Sequence, residues 1–282
     1  MRESAQTFAL HALNDERMLG RFASLDEIPG LAHGVTTRWG ANFSAPAVSD
    51  GFARSATELS GVLGLGGAAW LRQVHGQRVI VAETAGFAGE ADALISIAPD
   101  LALIGRSADC PLILVAGPVP DGTARTGPDR ELAGRPRACG MAHASWRGSV
   151  QQVTAVMVAA LIELSGLPAR SLSAAICPCA GPCCYEVGPE VRAAALAGIG
   201  SHAESFFSRR DGRLYFDLWR CNADQLLRAG IPAERIRIAG LCSICRGDLF
   251  PSYRREGAAA ERIAAAIGWR RLAAQARREV EA

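Results

Sequence analysis

Residues 139–150 read "CGMAHASWRGSV", setting an apolar, strand-like run against the start of a helix, with His143, Trp146 and Arg147 at the junction. Ser149 offers an N-cap and Gln152, three residues on, completes a capping box, so a helix is expected to begin there. Beyond it Val150, Val153, Met157, Leu161 and Leu164 recur in steps of three and four, and Gly166 supplies a stop. His143 and Arg147 then fall around the first turn, where free amides and the helix dipole favour an anion such as phosphate.

Strand-like apolar runs recur on both sides of this junction, at 70–82, 91–96, 101–105, 111–117, 137–143, 172–177 and 235–242. Helical patterns occupy 189–198, 217–230 and 258–280. Mixed strands and helices predict an α/β (α+β) fold, a mixed sheet with helices packed over it. Residues 1–30 read as a lead-in and 31–282 as one domain ending in the 258–280 helix. The stretch 118–137, rich in proline, glycine and charge, reads as a surface loop.

With 282 residues, 49% of them apolar and 21% charged, the chain can bury a large core. Thirty basic against 28 acidic residues leave a formal charge of +2, which lacks the positive footprint of a nucleic-acid binder. The N-terminal residues break their apolar run with His11, Asn14, Asp15 and Glu16, so no signal segment is expected. Nor does any apolar run reach the roughly 18–20 residues of a membrane span. The expectation is a cytoplasmic protein whose nine cysteines are reduced thiols or metal ligands.

Two of the five histidines follow strand-like runs, His75 in "RQVHGQ" and His143 in "MAHASWRG", and Cys110 lies between them in "SADCPLIL". Two imidazoles and a thiolate make a three-ligand zinc site with the fourth position open to water or substrate. The same residues also allow a nucleophilic pair in which a histidine activates Cys110. Gln73 is expected to share a strand face with His75. Arg38, Arg254 and Arg255 are further candidates for phosphate or ribose contacts.

The run "CPCAGPCCYEVG" at 177–188 and the CxxC of Cys242 and Cys245 raise the idea of a second metal cluster. Their spacing matches no common zinc or iron–sulfur pattern, so the expectation is a rigid pocket-lining turn at Gly181 and Pro182 with oxidation-sensitive thiols. Tyr185 and Glu186 would support that turn.

Together "RQVHGQ", "GEADALIS", "SADCPLIL", "MAHASWRG", "GPCCYEVGPEV", "YFDLWRCNADQLLRAGI" and "FPSYRREG" resemble, in order, the motifs of the laccase-domain family. Its members are called polyphenol oxidases or purine nucleoside phosphorylases. The resemblance covers roughly residues 30 to 262 and implies a fold related to certain cysteine hydrolases. It implies that His75, Cys110 and His143 bind a catalytic Zn2+, with Cu2+ the other candidate. The implied reaction cleaves adenosine, inosine or methylthioadenosine with orthophosphate, giving a free base and a ribose 1-phosphate, with adenosine deaminase activity besides. The chain departs from the family pattern at Ser145, usually glycine, at Glu261 before Arg262, and in the N-terminal motif, of which Arg38 remains. Three other classes stand beside this reading: a copper polyphenol oxidase, a metal-independent cysteine hydrolase and a non-enzymatic binding module. Five histidines cannot furnish a full multicopper set.

Overall fold

Strands that are apolar on both faces must be covered on both faces, and the chain meets that demand with two stacked sheets and helices outside each. The computed structural model describes residues 7–14, 17–38, 43–118, 132 and 135–271. Its first strands are β1 (Phe8–Asn14), β2 (Arg17–Phe22), β3 (Leu31–Thr36), β4 (Gly67–Arg72), β5 (Val79–Val81) and β6 (Gly86–Glu90). Next come β7 (Ala93–Ser96), β8 (Leu101–Ser107), β9 (Leu112–Gly117), β10 (Ala138–His143) and β11 (Ser173–Ile176). The last are β12 (Glu186–Val187), β13 (Phe207–Arg210), β14 (Arg213–Phe216), β15 (Ile236–Ile238) and β16 (Ile263–Trp269). The helices are α1 (Ala23–Asp26), α2 (Asp50–Val62), α3 (Trp146–Val150), α4 (Val153–Ser165), α5 (Pro189–Ile199), α6 (Leu218–Arg228) and α7 (Tyr253–Glu256).

A seven-stranded sheet runs β1-β2-β3-β16-β8-β4-β6 and a six-stranded sheet runs β15-β11-β9-β10-β7-β5; β12, β14 and β13 form a small third sheet. The pairs β4–β8, β4–β6, β5–β7 and β11–β15 are parallel and the other pairs antiparallel, so both large sheets are mixed. Alternation along the strands builds the layers. Leu101 and Leu103 of β8 meet Leu112 and Leu114 of β9 and Met141 of β10 between the sheets. Ala102 and Ile104, pointing the other way, pack under Phe52, Ala56 and Leu59 of α2. Ile113 and Val115 of β9 face outward on the second sheet, against Val153, Met157 and Leu161 of α4 and Leu226 of α6. The α/β expectation holds, and the apolar runs 101–105 and 111–117 are unbroken because each residue has a covering layer.

Several sequence expectations are corrected. Where a helix was expected over 258–280, residues 263–269 are the central strand β16, and 272–282 lie outside the described residues. Its alanines favour a helix in isolation, but Ala264 and Ala266 fit beneath α2 while Ile263, Ala265 and Ile267 enter the core between the sheets. Tertiary packing overrides the local preference. In the lead-in, β1 and β2 form a hairpin that extends the first sheet, with Phe8 and Phe22 in its core. The run 70–82 is two strands with a turn between them. Of the loop expected at 118–137, residues 119–131 and 133–134 lie outside the described residues.

The helix at the decisive junction starts earlier than the capping box implied. Ser145 caps α3 by accepting the Gly148 amide at 3.1 Å. Ser149 is instead buried, its hydroxyl donating to the Ala144 carbonyl. Gln152, at φ 62°, breaks the helix between α3 and α4, and Gly166 ends α4 in the left-handed conformation at φ 66°.

His33 on β3 is fully buried, and its Nε2 accepts the Phe22 amide at 2.8 Å, while its Nδ1 lacks a hydrogen-bond partner among the described residues. Burial holds its pKa down, from 6.5 to about 4, against the pull of Asp26. The unfolded chain therefore takes up a proton between those values that the folded chain refuses, and stability falls as pH drops through that window. The expected loss is on the order of 3 kcal/mol between pH 6.5 and 4. Urea unfolding across this range should show it, and His33→Gln should flatten the slope; an equal slope in both proteins contradicts the assignment.

Candidate active site

The ends of β4, β8 and β10 gather at one edge of the sandwich, and they bring together the three donors singled out in the sequence. His75 follows β4, Cys110 lies in the turn between β8 and β9, and His143 is the last residue of β10. One ligand atom from each lies within 4.8 Å of the others. The two imidazole rings stand 5.2 Å apart at their centroids, inclined by 65°. Those distances suit three ligands converging on one ion, and the donor set of two nitrogens and a sulfur suits zinc.

A residue the sequence reading missed organises this cluster. Asp92, fully buried just before β7, accepts hydrogen bonds from the consecutive amides of Val74 (3.2 Å), His75 (3.0 Å) and Gly76 (2.6 Å). The His143 Nδ1–H donates to Asp92 Oδ1 at 2.8 Å, and the His143 amide donates to the Asp92 carbonyl at 2.7 Å. His75 sits at φ 62°, in the left-handed region that non-glycine residues seldom occupy. The three-amide cradle offsets that strain and explains why Gln73 and His75 do not share a strand face. With Nδ1 committed to Asp92, Nε2 of His143 is the nitrogen free to bind.

The charges of the cluster reinforce one another. Burial alone would push Asp92 up, but the His143 hydrogen bond and charge, with the Gly76 and Val74 amides, hold it below the usual carboxylate range. Burial also disfavours ionisation of Cys110, yet contacts with His143 and His75 outweigh it and bring the thiol down to about 6. His143 rises to about 9, since Asp92 and Cys110 overcome its desolvation. A thiolate beside these imidazoles is a ready ligand for a soft divalent ion.

Asp109 performs a second positioning task. It lies at φ 87° with its side chain inward, accepting from Ser243 Oγ (2.7 Å), Ser252 Oγ (3.0 Å) and the Arg254 amide (2.7 Å). The residue beside Cys110 is thereby tied to the segment that precedes β16. The only sequence sign of this was its place next to Cys110.

Around the donors lies a cavity of about 470 Å³, bordered also by Gln73, Arg106, Ser107, Tyr185, Tyr253, Arg254 and Arg262. Gln73 clasps the backbone of Arg106, donating to its carbonyl at 2.8 Å and accepting its amide at 3.0 Å. Arg254 donates to the Glu186 carbonyl and lies over the Tyr185 ring. Arg106 and Arg262 both border the cavity, and burial, with the charge of Arg262, lowers the Arg106 pKa. Their Nη1 atoms are anchored on backbone, that of Arg106 donating to the Phe43 (2.6 Å) and Ala45 carbonyls and that of Arg262 to the Ala260 and Glu261 (2.9 Å) carbonyls. The Ser107 hydroxyl is buried at the cavity wall without a hydrogen-bond partner among the described residues.

Two expected arginines are elsewhere. Arg38 pairs with Glu256 and donates to the Gly247 carbonyl. Arg255 holds the carbonyls of Ser243, Ile244 and Phe250. Neither borders the cavity. Arg147 stacks over Trp146 in an adjoining cavity that shares Tyr185 and Arg254 with the first. The amides near Ser149 are already used, Gly148 bonding Ser145 Oγ and Ser149 bonding the Ser145 carbonyl at 2.6 Å, so they form no open anion cradle. Ser107 and Tyr253 stand in the runs "SADCPLIL" and "FPSYRREG", and Arg262 follows the departure at Glu261, yet none of them, nor Arg106, was given a role, because which strand-end residues line a cavity is decided by the tertiary fold.

The family model of the multi-copper polyphenol oxidoreductase laccases matches residues 45–126 and 132–270. A curated purine nucleoside phosphorylase of Xylella fastidiosa is 34% identical over 194 residues, which are 66% of this chain and 66% of that protein. Another, of Deinococcus radiodurans, is 34% identical over 201 residues, 70% of this chain and 68% of that protein. The crystal structure of Bacillus licheniformis hypothetical protein YfiH shares the fold, with a TM-score of 0.72 over 93% of this chain and 99% of that one, at 22% identity.

The Asp92 cradle carries a direct expectation. Asp92→Asn removes the charge that orients His143 and should weaken divalent-ion binding at the three donors by about 10- to 100-fold. Chelator competition with zinc measures it; unchanged affinity with an intact fold contradicts the role given to Asp92.

Proposed function

The chain belongs to the multi-copper polyphenol oxidoreductase laccase family, and from that premise we propose that it is a zinc-dependent purine nucleoside phosphorylase. In this reading it cleaves adenosine, inosine or methylthioadenosine with orthophosphate and also deaminates adenosine. The observation that carries the reading is the convergence of His75, Cys110 and His143 in a cavity that is also bordered by Arg106, Arg254 and Arg262. Zinc held by the triad supplies a Lewis acid able to polarise a purine or acidify the water that deamination consumes.

Each remaining requirement finds a group in the chain. Arg106 and Arg262 border the same cavity and supply the positive charge that a bound phosphate needs. In phosphorolysis a phosphate oxygen bonds to the anomeric carbon as the glycosidic C–N bond breaks, its electron pair leaving with the purine, which takes up a proton. Fixing the phosphate on one side of the sugar is the positioning that this displacement needs. Tyr185, held under Arg254, offers a ring face to the base, and the unpartnered Ser107 hydroxyl offers a hydrogen bond to the ligand. The cavity volume, about 470 Å³, lies in the range of small-molecule sites.

The multicopper alternative lacks ligands. His33 is buried behind Phe22, His202 pairs with Asp224 at 3.2 Å, and His11 lies on the edge strand β1. A cysteine hydrolase has more in its favour, because Cys110, His143 and Asp92 form a thiol–imidazole–carboxylate relay. That relay uses one imidazole, whereas a second, that of His75, lies within 4.8 Å of the other two donor atoms on a backbone at φ 62°, which supports the metal reading. A reducing, cytoplasmic setting belongs to the proposal. No helix among the described residues is long and apolar enough to cross a membrane.

The zinc-loaded protein should release hypoxanthine from inosine only when orthophosphate is present, and lose the activity on chelation. Arg262→Ala should raise the phosphate KM about tenfold or more while moving the inosine KM little, the loss of roughly one charge-assisted hydrogen bond. Arg147→Ala, in the adjoining cavity, should do less. Base release that ignores phosphate and survives chelation would replace this reading with the cysteine hydrolase.

A further inference from the structure

A second group of metal-ligating side chains lies outside the proposed active site. Cys183 and Cys184, in the turn before β12, meet Cys242 and Cys245, in the turn after β15, and all four sulfurs lie within 4.8 Å of one another. Cys184 Sγ is 3.2 Å and Cys183 Sγ 3.6 Å from Cys245 Sγ. All four thiols are free. In a tetrahedron with zinc–sulfur bonds of about 2.3 Å, neighbouring sulfurs stand about 3.8 Å apart, close to what the fold has assembled from turns nearly sixty residues apart in the chain.

The backbone around the cluster is arranged for thiolates. The Gly181 amide donates to Cys242 Sγ at 3.2 Å, and the amides of Ile244 and Cys245 point at the same sulfur. Amides from the second and third residues after a cysteine, turned back on its sulfur, stabilise the thiolate at the head of a CxxC metal-binding turn. Arginines hold the outside of both turns: Arg210 donates to the carbonyls of Pro182 and Cys183, and Arg255 to those of Ser243 and Ile244. Four thiolates and one divalent cation carry a net charge of about −2, and both turns that bear the sulfurs are bonded through their carbonyls to a guanidinium group.

We propose that Cys183, Cys184, Cys242 and Cys245 form a closed tetrathiolate site for Zn2+, structural rather than catalytic and separate from the His75–Cys110–His143 centre. With all four positions filled by protein, the site leaves no place for substrate. Its effect is to staple two active-site walls. Tyr185 directly follows Cys184, while Ser243, between the two later cysteines, reaches Asp109 beside Cys110. This is a new assignment of the cysteines expected from the sequence to be merely a pocket-lining turn.

Zinc per chain after purification without added metal provides the test, read by elemental analysis. The variant His75→Ala/Cys110→Ala/His143→Ala should keep about one equivalent of zinc, and adding Cys183→Ser and Cys245→Ser should remove it. Should the triple variant not fold, the unaltered chain compared with Cys183→Ser/Cys245→Ser gives the same one-equivalent difference. Cobalt(II) in place of zinc at this site should give the intense sulfur-to-metal absorption and tetrahedral visible bands of a thiolate complex. Absence of retained zinc in a folded triple variant, four rapidly alkylated thiols in the zinc-supplied protein, or a Cys184–Cys245 disulfide as its resting state would each overturn the proposal. Because the readout is metal content, failure of phosphorolysis leaves this test unaffected.

Discussion

One buried carboxylate sets the geometry on which the proposed chemistry depends. Asp92 receives three successive amides and an imidazole N–H, and so fixes both a backbone and a side chain with the same two oxygens. An uncompensated carboxylate in that position would be costly; compensated in this way, it becomes a rigid template. His75 can occupy an unfavourable backbone conformation because those amide bonds hold it there, and His143 presents one ring nitrogen because the other is taken. The layered core matters to the site chiefly because β4 and β10 end, and β7 begins, where Asp92 can tie their loops together.

Asp109 repeats the device on the opposite side of Cys110. It gathers Ser243, Ser252 and the Arg254 amide, so the distant cysteine turn and the arginine wall share an anchor beside the proposed metal ligand. The cluster of Cys183, Cys184, Cys242 and Cys245 extends the logic outward, fastening the turns that carry Tyr185 and Ser243.

What could be read from the sequence follows from how local each signal is. The strands β8, β9 and β10 announce themselves by apolar runs, and Gly166 marks the end of α4, since burial and left-handed turns leave local traces. The grouping of His75, Cys110 and His143 was legible because imidazoles are few in the chain and the three residues stand in runs that resemble one family's motifs. β16 was misread because alanine's helix preference is local and its place between α2 and the inter-sheet core is not. The Ser149 capping box misled for a related reason: Ser145, four residues earlier, won the cap, and Ser149 was drawn into the interior to meet Asn222, which donates to its hydroxyl at 2.9 Å. Asp92 and Asp109 stand inside the runs "GEADALIS" and "SADCPLIL", but nothing local marks either as a positioning residue. Their roles exist only once residues from separate turns come together, which is also why four cysteines with uninformative spacing form one cluster.

The central claim is that this carboxylate-held trio binds one ion through two imidazole nitrogens and one sulfur, leaving a place for a light-atom ligand. X-ray absorption at the zinc edge, on zinc-loaded Cys183→Ser/Cys245→Ser protein, tests it most directly. The account predicts two nitrogen scatterers, one sulfur at about 2.3 Å and a further oxygen or nitrogen. A shell without sulfur, or one with several sulfurs and no imidazole signature, would contradict it.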